Sequence, residues 1–132
     1  MTAKEIMLLC RKVKAASALL ALAGTDKKDA ALRSMARALV EESPNIIKAN
    51  IRDVELARKR KVPAALIDRL TLTDARIRSM ADSLLAVSKL NDPVGEVLET
   101  VRRPNGLVIK KVRVPIGVIL MIYESRPNVT SD

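Results

Sequence analysis

The sequence has no histidine, no phenylalanine and no tryptophan, and it carries one cysteine and one tyrosine. A single cysteine, Cys10, rules out an internal disulfide and any metal site built on several thiolates. With no histidine and one cysteine, zinc lacks its usual nitrogen and sulfur ligands, which argues against a zinc site. Single-strand nucleic-acid binders stack bases on aromatic rings, and Tyr123 is the only ring available. The net charge of +9 therefore reads as a solvated basic surface that favours anionic small molecules rather than as a nucleic-acid footprint. The lysines and arginines are also spread along the chain, apart from the run Arg58-Lys59-Arg60-Lys61. That run reads as an exposed helix end, where cations complement the dipole. No apolar run approaches the roughly 20 residues that span a bilayer; the longest extends from Ile116 to Tyr123. Lys4, Arg11, Lys12 and Lys14 before the stretch Ala15 to Ala23 have a faint look of a targeting peptide. Glu5 interrupts it and Val13 continues a helical stripe, which argues against that role. A cytoplasmic compartment fits this cysteine usage.

What is present is aliphatic. The 132 residues are 48% hydrophobic, enough for a core of Ala, Leu, Ile, Val and Met in one ordinary domain. The first two thirds carry a helical period. Ile6, Leu9, Cys10, Val13, Ser17 and Leu20 share one face, with Gly24 as the stop. Cys10 is thereby expected as a small buried hydrophobe rather than a reactive thiol. Leu32, Met35, Ala36, Leu39 and Val40 mark a second helix. Ser43 is placed to cap a third, with Pro44 at its first position and Ile47, Ile51 and Val54 along its face. Pro63 opens a short fourth helix with Leu66, Ile67 and Leu70 inward. Thr73-Asp74 caps a fifth, whose stripe is Ile77, Met80, Ala81, Leu84, Leu85 and Ser88.

The period changes at the turn signal Asn91-Asp92-Pro93. Val97, Glu99 and Val101 alternate with Glu96, Leu98 and Thr100. After Arg103-Pro104-Asn105-Gly106, Val108, Lys110, Val112 and Val114 alternate with Leu107, Ile109, Lys111 and Arg113. This pattern predicts a two-stranded antiparallel ribbon over 95–114. Pro115 ends it. The continuous apolar run Ile116 to Tyr123 then suits a strand buried on both faces, as in a parallel sheet covered by helices. Such a sheet needs further strands and crossovers, so the pattern implies a domain these residues only begin. The fold class is α/β. The expected organisation is a helical segment over 1–93, a ribbon over 94–114 and the start of a nucleotide-binding domain over 115–132. An unpaired apolar strand of this kind is aggregation-prone when exposed.

Val114-Pro115-Ile116-Gly117-Val118-Ile119, continued by Ile122-Tyr123-Glu124-Ser125-Arg126-Pro127-Asn128-Val129-Thr130, resembles the segment that opens the nucleotide-binding domain of γ-glutamyl phosphate reductases. Ile67-Asp68-Arg69-Leu70-Thr71-Leu72-Thr73, Asn91-Asp92-Pro93-Val94-Gly95 and Asn50 with Asp53 are also similar to that family, in the same order and spacing. The resemblance covers essentially all the residues. It implies an aldehyde dehydrogenase-like fold: N-terminal helices, an antiparallel ribbon and the first strand of an incomplete nucleotide-binding sheet. It also implies NADPH-dependent reduction of γ-glutamyl phosphate to glutamate 5-semialdehyde in proline biosynthesis, through a cysteine thioester. By the same resemblance the catalytic cysteine lies beyond residue 132, and Cys10 does not match it. These residues alone are then expected to be inactive.

The resemblance further places Tyr123, Glu124 and Ser125 beside the nicotinamide ribose, at the carboxyl end of a strand where open α/β sheets bind ligands. Asn128 and Arg126 are its candidates for oxyanion or substrate contacts, and an arginine would also suit a phosphate or carboxylate. No metal is implied. The bland readings are a packed strand-end ring for Tyr123, a solvated loop for Glu124 and Arg126 and an ordinary turn pair for Pro127-Asn128. In the superfamily a protruding ribbon joins subunits, so 94–114 is expected as an oligomerisation arm giving a homo-oligomer. The competing reading is a non-catalytic partner of a full-length reductase that pairs through this ribbon.

Overall fold

The computed structural model describes residues 2–131. It contains five α-helices and one two-stranded antiparallel sheet among the described residues. The residues fall into two compact units: the chain up to Thr25 together with Asn91–Leu120, and Asp26–Leu90 together with the segment from Met121 onward.

In the first unit, α1 (Ala3–Leu20) begins with a reciprocal capping box. The Glu5 backbone N–H donates to the Thr2 hydroxyl at 3.3 Å, and the Thr2 N–H donates to the Glu5 carboxylate at 2.7 Å. Two of the four orphan donors of the first turn are satisfied in this way. The helix ends at Leu20 with Ala21 as its C-cap, so Gly24 is not its terminator. The expected stripe exists as a face, but Ile6, Leu9 and Val13 stay exposed. Cys10 is exposed as well, contrary to the buried role expected from its spacing. A helical period identifies an apolar face; it does not supply the element that covers it.

The ribbon forms as β1 (Val97–Arg102) and β2 (Val108–Val112). Its turn closes with the Gly106 N–H donating to Arg103 O at 3.0 Å and the Arg103 N–H donating to Leu107 O at 2.9 Å. Gly106 sits at φ +83°, left-handed backbone that an L side chain adopts only at a cost. Pairing continues outward, with the Arg113 N–H on Glu96 O and the Gly95 N–H on Arg113 O. Cross-strand partners include Glu99 with Lys111 and Val101 with Ile109, an opposite-charge pair and an aliphatic pair on one face. An irregularity between Val97 and Glu99 pairs Val97 with Val112. The simple alternation read from the sequence is therefore out of phase before Glu99, because a bulge adds one residue to one strand.

Ile116 to Tyr123, expected as a strand buried on both faces, has no strand hydrogen bonds here, and its side chains are exposed. A strand exists through the ladder it makes with a neighbour, and the described residues offer this one none.

The second unit holds most of α2 (Thr25–Glu41), then α3 (Ser43–Lys59), α4 (Ala64–Leu70) and α5 (Asp74–Val87). Ala36, Ala81 and Leu84 form its core, with Leu32, Leu39 and Leu85 packed around them. Ile77 is fully buried, and Val54 and Ala57 are buried on α3. Full burial of an isoleucine is worth about 1.5–3 kcal/mol, so the α5 stripe is the main apolar anchor of this unit. Met35 and Val40 of the α2 stripe remain exposed.

Ser43 does not cap α3. The N-cap is Glu42, without a side-chain cap bond; the buried Ser43 hydroxyl instead donates to Asp74 Oδ1 at 2.6 Å. A tertiary partner on the start of α5 outcompetes the local capping bond. At its other end α3 closes in a Schellman motif: the Val62 N–H donates to Ala57 O and the Lys61 N–H to Arg58 O. Lys61 occupies the left-handed position at φ 56°. The basic run thus forms the exposed last turn and cap of α3.

Candidate functional site

The site is assembled where α4 hands over to α5. Asn50, buried on α3, donates from its side-chain amide to Leu70 O at 2.9 Å and accepts from the Leu72 N–H at 2.7 Å. One side chain therefore satisfies both directions of the backbone in this loop, as a neighbouring strand would. From the other side, Arg76 in the first turns of α5 donates to the backbone carbonyls of Asp68 and Thr71, the latter at 2.6 Å. Its second nitrogen reaches the two Asp68 carboxylate oxygens at 3.0 and 3.2 Å. Arg76 thus adds a second donor to the Asp68 carbonyl, which also accepts from the Thr71 N–H at 3.2 Å, and satisfies the Thr71 carbonyl beyond the helix end while neutralising Asp68. Thr73 caps α5 by accepting from the Arg76 N–H at 3.2 Å, as its sequence predicted.

Beside this loop lies a cleft of about 620 Å³, within the range of small-molecule sites. Asp68, Arg69 and Arg76 line it from the α4–α5 side, and Arg126, Pro127 and Asn128 from the closing segment. Among the described residues, three arginines against a single aspartate leave the lining two charges positive. Leu72, Met80 and Pro127 add an apolar wall. A positively biased concavity with apolar surface suits a small anion that carries a short hydrocarbon chain.

Two of the residues singled out in the sequence, Arg126 and Asn128, thus meet in one cleft with residues of α4, α5 and the loop between them. The other three stand outside its lining. Tyr123 is about half exposed, and its phenol oxygen lies 2.7 Å from the Thr130 hydroxyl, so it does not act as a packed strand-end ring. Glu124 is exposed, and Ser125 holds a left-handed backbone at φ 52°. That conformation is uncommon for a residue with a Cβ; it turns the chain just ahead of Arg126. A short 3₁₀ turn, Pro127–Thr130, follows. Sequence reasoning gave no role to Arg69 or Arg76. The available signal was Arg76 following a Thr73 cap, placed to reach back to the carbonyls that end α4.

Among the described residues no group of three or more His, Cys, Asp or Glu could hold a metal ion, and no helix is long and apolar enough to cross a membrane.

No family model matches the chain. A γ-glutamyl phosphate reductase of Caldanaerobacter subterraneus is 52% identical over 128 residues, 97% of this chain and 31% of that protein. One from Xanthomonas campestris is 48% identical over all 132 residues, again 31% of its length. The crystal structure of the Thermotoga maritima enzyme of the same name superposes with a TM-score of 0.87 at 48% identity, over 92% of this chain and 29% of that one. The chain matches the N-terminal portion of γ-glutamyl phosphate reductase. The Saccharomyces cerevisiae γ-glutamyl phosphate reductase gives a TM-score of 0.89 at 27% identity, over 99% of this chain and 33% of that one. The α/β fold class is thus that of the reductases. The chain spans about a third of the length of the reductases it matches.

Proposed function

We propose that the protein to which these residues belong reduces γ-glutamyl phosphate to glutamate 5-semialdehyde, with release of phosphate, in the cytoplasmic synthesis of proline. The observation that carries this reading is end-to-end similarity to reductases of that name, at 41–52% identity among curated relatives, combined with a basic cleft suited to an anionic chain. Arg126 offers a planar guanidinium that matches carboxylate and phosphate geometry. Asn128 offers an amide on the same wall. Both would bind and orient substrate oxygens.

NADPH, when bound, supplies the hydride. The residues here fit one end of that cofactor only. The exposed Glu124 carboxylate and the Ser125 hydroxyl suit ribose hydroxyls, and Tyr123 stands next to them. None of the four glycines lies close to another, so no glycine-rich phosphate cradle is offered. Binding of the pyrophosphate and supply of the nucleophilic thiolate are assigned to other parts of the protein, because Cys10 lies on the α1 stripe and matches no catalytic motif of the resembling family. Residues 1–132 alone are accordingly proposed to be inactive.

The protein as its gene encodes it should oxidise glutamate 5-semialdehyde when given NADP⁺ and phosphate, and residues 1–132 expressed alone should not. No turnover by the encoded protein, or turnover by the isolated residues, would overturn the respective statement.

A second reading follows from the ribbon. Both outer edges of the β1–β2 pair lack strand partners among the described residues, and such edges pair readily with another chain. Residues 94–114 are proposed as the arm that joins reductase subunits into a homo-oligomer. If these residues were instead a non-catalytic partner, they would co-purify with a full-length reductase through that same arm.

A further inference from the structure

Of the three arginines in the cleft, one is already committed. Arg76 is bonded to two carbonyls and to both oxygens of Asp68, so the only acid in the lining among the described residues is neutralised from within the protein. Arg69 and Arg126 are different: among the described residues neither side chain has a hydrogen-bond or ion-pair partner. Two guanidinium groups without partners among the described residues therefore line one cleft and remain available to an anion. The backbone that carries Arg69 is also fixed on both sides. Arg76 holds the carbonyl of the preceding residue, Asp68, and Asn50 holds that of the following one, Leu70. Arg69 therefore projects from a root that loses little freedom when its head group binds, which favours affinity.

We infer that Arg69 is a substrate-binding residue, forming with Arg126 a seat for an oxyanion, carboxylate or phosphate, carried on a short aliphatic chain. This deepens the reductase reading, on which its choice of substrate rests. Leu72, Met80 and Pro127 supply the wall for the methylenes. γ-Glutamyl phosphate carries both kinds of oxyanion at opposite ends of a short chain, and Arg69 takes one of them. The residue contributes binding and orientation, with no part in bond making.

The test uses the protein as encoded, with inorganic phosphate and L-glutamate as separate calorimetric probes. Arg69→Ala should weaken one probe about tenfold, the loss of roughly one charge-assisted hydrogen bond. The probe affected tells which end of the substrate Arg69 holds. Arg69→Lys should fall between, keeping the charge and losing the fork. In turnover the KM for the matching substrate should rise by a similar factor with kcat little changed. Arg37→Ala, on α2 and outside the lining, controls for loss of general charge. Unchanged affinity for both probes in Arg69→Ala, an equal loss in Arg37→Ala, or no binding of either probe to the unaltered protein would each overturn the inference. Loss of probe binding in a protein without reductase activity would sink the reductase reading and leave the anion seat standing. Normal turnover with an unmoved KM would sink the seat alone.

Discussion

Replacing Asn50 by alanine should be among the most damaging single changes in the second unit. The residue is 6% exposed, and its side chain makes two bonds, to Leu70 O at 2.9 Å and from the Leu72 N–H at 2.7 Å. Truncation removes both and leaves two half-buried backbone groups unpaired. An orphaned buried group costs about 1–3 kcal/mol. Water can reach part of this loop, so the expected loss is about 2–4 kcal/mol in total. Denaturant unfolding followed by circular dichroism reads the sum, and hydrogen exchange at the Leu72 amide reads the local part. Asn45 is the internal control: it lies on the same helix, but its amide reaches only the exposed Glu42 carboxylate, at 2.7 Å. Asn45→Ala should stay within about 0.5 kcal/mol of the parent. If Asn50→Ala is no worse than Asn45→Ala, or if exchange at Leu72 does not accelerate, the account of the α4–α5 loop is wrong.

Lys61→Gly should stabilise by roughly 1 kcal/mol, because Lys61 occupies the left-handed cap position at φ 56° where glycine carries no Cβ penalty; an equal or lower melting temperature would contradict this. Arg113→Ala should cost less than about 1 kcal/mol despite its 2.9 Å contact with Glu96, since both side chains are more than half exposed and such pairs are weak. A larger loss that persists at high salt would show that the bridge does more than the exposure allows.

Legibility from the sequence tracks how local the deciding interaction is. The α5 stripe was readable because helical period and core burial agree at Ile77, Ala81 and Leu84. The Thr73 cap was readable because its bond spans three residues. The hairpin turn was readable because Gly106 is needed where φ is positive. Ser43 was misread because its partner, Asp74, lies thirty-one residues away, and a local capping rule cannot see it. The phase of β1 was misread because a bulge leaves no mark in an alternating pattern of Val, Glu and Thr. Cys10 and the run from Ile116 to Tyr123 were expected to be buried because they are apolar and periodic or continuous; among the described residues nothing covers them. Of the cleft, Arg126 and Asn128 were singled out in the sequence and line it. Arg69 was not, because its significance depends on Arg76 being occupied elsewhere.

That dependence ties stability to function in one place. Arg76 could have served as a third free guanidinium in the cleft, yet it is bonded to Asp68 and to two carbonyls at the end of α4. An arginine held this way gives up direct contact with an anion and instead fixes the backbone beside the one that keeps it. Asn50 does the same from the buried side. A free arginine on a mobile loop would lose conformational entropy at each binding event, in backbone as well as side chain. Here the backbone part is already lost on folding, through bonds that involve no ligand. The division of labour, two anchored polar side chains and one unpaired arginine between their attachment points, is therefore what distinguishes Arg69 from the many other cations on this basic surface.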